Sequence, residues 1–403
     1  MLRKRFSFLL CQSLAVVILT ATLMAAAWAQ PKFKILATVP GGLFSGLTFD
    51  AKGNLYGVTG AGGDDNQGTI FELTPGAHGW TLHTLHSFDG QNGGGPNGGL
   101  IFDAAGNFYG TALGGRGLQD GGVAYEMVRR SAGWDFTVLY YFCLQYHCPD
   151  GGGPGPLTMD GAGKPFGLAG GGTYDEGVAF ELVPGAGASG WSEQVLYDFQ
   201  GTKTGFGPSG ALIFDATGNL YGTTAGTFNS EAGTVFELIR GSGGWRHRKL
   251  WQFDGTDGAG PSHGVVLDES GNLYGTTRGG GGSCEGEFCG VAFKLSRSRR
   301  GNWVETMLYR FLNPAYGFYP SSGLIADKAG NLYGTTAQGG AGTCYNGCGV
   351  AYELSPSANG KWTYRVLHKF IGNSGSLPPS NLVLDEKGNL YGTAYGAAYE
   401  ITP

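Results

Sequence analysis

An aspartate followed three residues later by a glycine, and then by an aromatic–glycine pair, occurs seven times in this 403-residue chain. The aspartates are Asp50, Asp103, Asp160, Asp215, Asp268, Asp327 and Asp385, separated by 53, 57, 55, 53, 59 and 58 residues. A unit of that length cannot bury both faces of its own sheet, so neighbouring copies must stack. Four short strands can be read in each copy: in the fourth, "ALIFD" (211–215), "NLYGTT" (219–224), "GTVFELI" (233–239) and "WRHRKLWQF" (245–253). We call them strands a to d in chain order. Strands a to c are nearly continuous in apolar or small residues, as expected of a sheet covered on both sides, whereas d is more polar and belongs at a rim. The predicted fold is all-β: a seven-bladed β-propeller with four antiparallel strands per blade.

Six copies continue into a Trp-led strand d, with Trp80, Trp134, Trp191, Trp245, Trp303 and Trp362 each followed five residues later by a Leu. The seventh stops at Pro403 without one, while "FKILATV" (33–39) is a strand d without a copy of its own, with Leu36 in the place of the recurring Leu. Pairing the two closes the ring and removes two open sheet edges. The blades then span about 46–88, 98–142, 155–199, 210–253, 264–311, 323–370, and 381–403 plus 33–39. Residues 30–403 form one domain.

The repeat core, "DATGNLYGTT" (215–224) followed by "GTVFEL" (233–238), resembles the Gloeo/Verruco tandem repeat of secreted bacterial proteins. "GNLYGTT" recurs at 271–277 and 330–336, with close variants at 53–59, 106–112 and 388–394. The resemblance implies a β-propeller and no defined activity. It also implies, for many members, a C-terminal sorting signal, which is not expected in a chain ending at its last strand. The third copy departs from the pattern as "GKPFGLA" (163–169), and Pro165 removes a ladder donor, so that blade is expected to be the least regular.

Residues 1–29 have the order of a secretory signal: "MLRKR", an apolar run, then Ala27-Trp28-Ala29. Export to the periplasm or cell exterior follows, with no stable membrane span after cleavage; a retained anchor is the alternative. A formal net charge of -5 gives no electrostatic footprint for nucleic acid. Six cysteines come as near neighbours, Cys143 with Cys148, Cys284 with Cys289 and Cys344 with Cys348, and export makes three disulfides the expectation. Each closes a short loop and contributes about 2 kcal/mol.

The seven aspartates are expected to cap their own a-to-b turns, with the glycine three residues on in a left-handed conformation. Strand c carries a glutamate in six copies (Glu72, Glu126, Glu181, Glu237, Glu353, Glu400) and Lys294 in the fifth, and a local hydrogen bond to backbone or a Tyr hydroxyl is expected. "GPSHG" (260–264) matches the G-x-S-x-G nucleophile pattern, but it enters a β-strand where that motif needs a strand–turn–helix. No metal site is expected. Calcium is the weaker alternative for the acidic loops Asp64–Gly68 and Asp175–Gly177.

The d-to-a and b-to-c loops are long and variable, share one face of a propeller, and carry aromatics among Gly, Ser and Asn: Tyr146, Tyr174, Phe206, Phe228, Tyr316, Phe318, Tyr319 and Tyr345. Residues opening the innermost strands, Asn97, Ser209, His263, Ser321 and Asn381, are expected to rim the central channel. The expected function is non-catalytic recognition of a protein or glycan through this face, with no cofactor and no catalytic residue. An exported hydrolase, lyase or lactonase using His263 or channel carboxylates is one alternative. A structural envelope protein is the other.

Overall fold

The computed structural model describes residues 30–42, 45–116, 121–185, 190–227, 232–282, 289–372 and 381–403. The first 29 residues, Phe228 and Cys284 therefore lie outside the described residues. Seven separate antiparallel sheets form a ring. The first comprises Thr48–Phe49, Leu55–Thr59, Thr69–Gly76 and Gly79–Ser87 in that spatial order, and the others repeat it. Among the described residues the only helical element is the 3-10 turn Pro314–Tyr316. No helix there is long and apolar enough to cross a membrane.

The ring closes where the sequence requires. Lys32–Thr38 pairs antiparallel with Ala397–Thr402, from Lys32 opposite Thr402 to Thr38 opposite Ala397. Val39 extends the ladder by donating its N–H to the Gly396 carbonyl at 3.0 Å. The last blade turns through Tyr395-Gly396 alone, with Ala394 opposite Ala397. Each recurring Leu of strand d sits at a register shift: Leu85, Leu139, Leu196, Leu250, Leu308 and Leu367, and Leu36 of the closing strand. A bulge adds one residue to one strand and re-aims its neighbours. It therefore turns this side chain toward the blade boundary, and Leu139, Leu196, Leu250 and Leu367 are buried there.

The first five residues of strand b are buried in every blade, for example Leu55–Thr59. Its glycine is a seat for the strand-c aromatic. A Cβ on Gly57 would lie 2.6 Å from the Phe71 ring, and one on Gly222 would lie 2.6 Å from Phe236. A side chain there would expel a fully buried ring, so the Tyr-Gly pair follows from packing.

Two expectations are refined. Strand a is shorter than its apolar run: in the second and sixth blades it splits into Gly94–Pro96 with Ile101–Phe102, and Phe318–Pro320 with Ile325–Ala326. The cause is crowding where the innermost strands converge. A Cβ on Gly98 would lie 3.1 Å from Pro156, and one on Gly323 would lie 2.9 Å from the His263 carbonyl oxygen. Backbones of adjacent blades meet there, and Ala211 bridges Gly264 directly. Pro165 has the local effect its missing N–H predicts: the b–c ladder of the third blade begins at Phe166 opposite Glu181, one pair later than Leu220 opposite Leu238 in the fourth.

Candidate functional site

The recurring acidic residues are engaged inside their own blades. Asp50 Oδ1 accepts the N–H groups of Lys52 at 2.8 Å and Asn54 at 2.9 Å, and its Oδ2 accepts from the Asn54 amide at 2.9 Å. The Gly53 N–H closes the turn onto the Asp50 carbonyl at φ 84°. The same turn forms at Asp103, Asp160, Asp215, Asp268, Asp327 and Asp385. At Asp215, burial works to raise the carboxyl, but hydrogen bonds from Asn219 and Thr217 outweigh it and hold the group low.

The strand-b tyrosine then links this aspartate to the strand-c glutamate. Tyr56 lies 3.3 Å from Asp50 and donates to Glu72 at 2.6 Å; Tyr109 donates to Glu126 at 2.7 Å and Tyr221 to Glu237 at 3.0 Å. Burial, then the adjacent carboxylates, push these phenols well above their ordinary range. Where the third blade has Phe166, Lys164 replaces the usual Asn and binds Glu181 at 2.5 Å. Where the fifth has Lys294, the ammonium lies over the Tyr274 ring, 5.4 Å from its centroid. These carboxylates are structural, and a ring of catalytic acids is not assembled from them.

The two loop families are stitched into one face. The residue preceding each strand-opening proline donates its N–H to the b-to-c loop of the preceding blade: Gly95 to Gln67, Gly207 to Glu176, Gly260 to Ala232 and Tyr319 to Cys289. Disulfides join Cys143 to Cys148 and Cys344 to Cys348 in these loops. Cys289 is also disulfide-bonded, while its expected partner Cys284 is outside the described residues. Tyr146, 76% exposed, and Tyr345, 83% exposed, stand out from the loops, with Tyr174 and Tyr316 also exposed.

The other predicted site residues divide. Phe318 is corrected: it is 5% exposed and packs in the core beside Phe311 and Tyr352, whereas Tyr319 next to it is only partly buried against the same core. Phe206 is partly buried, close over Gly201, whose added Cβ would meet its ring at 2.8 Å. Asn381 accepts the Gly323 N–H at 2.7 Å, joining the sixth and seventh blades. The Ser209 carbonyl accepts from Thr223 at 3.0 Å, and the Ser321 N–H reaches the Thr335 carbonyl at 3.1 Å. Asn97 is exposed. His263 lies 3.3 Å from the Ser262 hydroxyl, and burial followed by the charge of Arg278 brings its imidazole down to about 4. The chain runs on from Ser262 into the strand Val266–Leu267, so no nucleophile elbow forms. No group of three or more His, Cys, Asp or Glu side chains that could hold a metal ion is present among the described residues.

One cavity of about 440 Å³ opens among these loops, lined by Ala225, Gly226 and Thr227 of the fourth blade, Ala259, Gly260 and Arg278 of the fifth, and Tyr319 of the sixth. The Arg278 guanidinium lies over the Tyr319 ring, 5.8 Å from its centroid. Its Nε is buried without a hydrogen-bond partner among the described residues. Sequence reasoning singled out Tyr319 but passed over Arg278. The signal was available by comparing copies: the residue after strand b is Gly60, Leu113, Gly170, Ala225, Arg278, Ala337 or Tyr395, and only the fifth is charged.

No curated protein matches the sequence. Among solved structures, one similar chain is a structural-genomics target assigned as a gluconolactonase, at 13% identity, TM-score 0.45 and coverage of 93% of this chain and 92% of that one. Another is a luciferin-regenerating enzyme, at 14% identity, TM-score 0.44 and coverage of 93% and 95%. The profile of the Gloeobacter/Verrucomicrobia repeat matches residues 32–206 and 132–343, overlapping segments that span most of the propeller, and the chain belongs to this family.

Proposed function

We propose that this protein is an exported, non-catalytic recognition scaffold that binds a glycan or protein through its long-loop face. The observation that supports this reading most is the division of labour among side chains. Recurring carboxylates are held in turn and strand hydrogen bonds, whereas the face built from d-to-a and b-to-c loops exposes tyrosines and holds an open cavity. Rings presented among glycines offer apolar contact area with a polar edge at little entropic cost, which suits sugar faces and protein partners alike. Export accords with the disulfides, which persist in oxidising compartments.

The test is a glycan array and an envelope pull-down with the purified protein, repeated with Tyr146→Ala and Tyr345→Ala. These side chains are largely in solvent, so neither change should alter folding. Retention of a glycan or a single partner, weakened by either variant, supports the proposal. Retention of nothing, or turnover of a lactone or polysaccharide by the purified protein, overturns it in favour of a structural or enzymatic role.

A further inference from the structure

We propose that the cavity between the fourth, fifth and sixth blades is a subsite for a carboxylate-bearing sugar, a uronic acid residue of an acidic glycan, held by Arg278 and Tyr319. This rests on the glycan reading of the long-loop face and makes it specific. The repeat supplies an internal control. The residue before the strand-opening proline is glycine in four copies, Gly95, Gly153, Gly207 and Gly260, with φ of 55°, 58°, 59° and 67°. In the sixth copy the same backbone conformation, φ 60°, is occupied by Tyr319. A bulky side chain at positive φ is strained, and such strain persists where the surroundings or a function hold it. Over this exception lies the second one, Arg278, at a position that is Gly, Ala, Leu or Tyr in every other blade. Two departures from the repeat, from different blades, thus meet at one cavity.

The chemistry of the pair sets the ligand class. A guanidinium offers its N–H donors in a planar fork that matches a carboxylate bidentately. Here it is positioned over an aromatic ring with Nε buried and without an acceptor among the described residues. A buried donor left without an acceptor costs free energy that a bound anion would recover. The remaining walls are mostly apolar side chains and glycine backbone, and Tyr319 adds a flat apolar surface. A cavity of about 440 Å³ has room for a sugar residue, and a pyranose carrying a carboxylate presents an apolar face and an anionic edge together. A neutral sugar would leave that Nε without an acceptor among the described residues.

The experiment is titration of the purified protein with oligogalacturonate, with its methyl ester and with a neutral galactan oligomer. Arg278→Ala and Tyr319→Gly are the variants, each installing a residue that other copies already carry at that position. The expected result is binding of oligogalacturonate alone, weakened about 10- to 100-fold by Arg278→Ala, as loss of a charge-assisted hydrogen-bond pair requires. Tyr319→Gly should weaken binding while the protein stays folded, since relief of the positive φ offsets part of the packing lost against the core. Equal binding of the ester, or binding of the acid unchanged in Arg278→Ala, overturns this subsite. If the neutral galactan binds equally in the parent and Arg278→Ala, this subsite fails while the glycan reading stands. If a broad array also retains no glycan, the glycan reading fails with it.

Discussion

The Phe33 ring of the closing strand stacks on His368 of the preceding blade, with centroids 3.7 Å apart and planes 5° from parallel. The pairing follows a rule that runs around the ring: the residue after the bulged Leu in one blade faces the residue three before it in the next. His86 meets Phe136 at 3.8 Å, Tyr197 meets His247 at 4.9 Å, and Tyr309 meets Tyr364 at 4.0 Å. The closing strand takes part in this ladder as strand d does elsewhere. The seam is thus held by side chains as well as by its backbone pairs.

Phe33→Ala should destabilise the protein by about 2 kcal/mol, less than a fully buried Phe because the ring is only partly enclosed. Deleting residues 30–39 should have a larger effect, since it exposes the edge of Ala397–Thr402 and leaves the seventh blade with three strands. Thermal unfolding followed with light scattering reads both. Equal melting of parent and deletion would overturn the role of the seam.

Acid should loosen the same boundaries. Burial pulls the His368 imidazole down to about 4, and burial followed by the nearby Lys249 does the same to His247. A folded value below the ordinary 6.5 means that the unfolded chain takes up the proton first. Stability is therefore full above about 6.5 and falls as pH drops toward 4. Because each ring is partly in solvent, the loss is on the order of 1 kcal/mol per histidine. His368→Phe should flatten the decline in melting temperature between pH 6.5 and 4.5 and keep the stack with Phe33.

Two carboxyls act in the opposite direction. Glu193 and Glu305 occupy the position that carries Phe136, His247 and Tyr364 elsewhere, and each has a buried oxygen without a partner among the described residues. Burial, then Asp150, raises Glu193 to about 8; burial, then Asp257, raises Glu305 to about 7, with Arg310 opposing. A raised folded value favours the protonated side chain, so stability is full below about 4.5 and declines as pH climbs through 7 to 8. Glu193→Gln should melt above the parent at pH 8.5, by on the order of 1 kcal/mol after allowance for solvent, and match it at pH 5. A gain of the same size at both pH values would rule out this origin.

Tyr125, Tyr352 and Tyr399 are fully buried over the strand-b glycine, and their hydroxyls have no hydrogen-bond partner among the described residues. The other four blades carry Phe71, Phe180, Phe236 and Phe293 at this place. Each Tyr→Phe change should leave stability unchanged or raise it by about 1 to 2 kcal/mol, because it removes a desolvated hydroxyl and keeps the ring. Chemical denaturation measures this. A loss above about 1 kcal/mol would show that an ordered water satisfies the hydroxyl.

The amino-acid sequence by itself determined the number of blades, the closing pair and the Asp–Gly turns. Each can be read from the repeat pattern itself: turn geometry set by a glycine at positive φ, alternation along a strand, and the matched deficit of one strand at each end. That the strand-c glutamates bond locally was legible for a like reason, but the choice of the Tyr hydroxyl over backbone was made by the structure. Only the tertiary structure decided what happens between blades. The chain alone does not reveal that Phe318 is buried while Tyr319 stays partly open, that strand a breaks where innermost backbones crowd, or that Arg278 of one blade lies over Tyr319 of the next. Those contacts join residues tens of positions apart, and the angle and offset at which one sheet packs on another select them; no local periodicity encodes that offset.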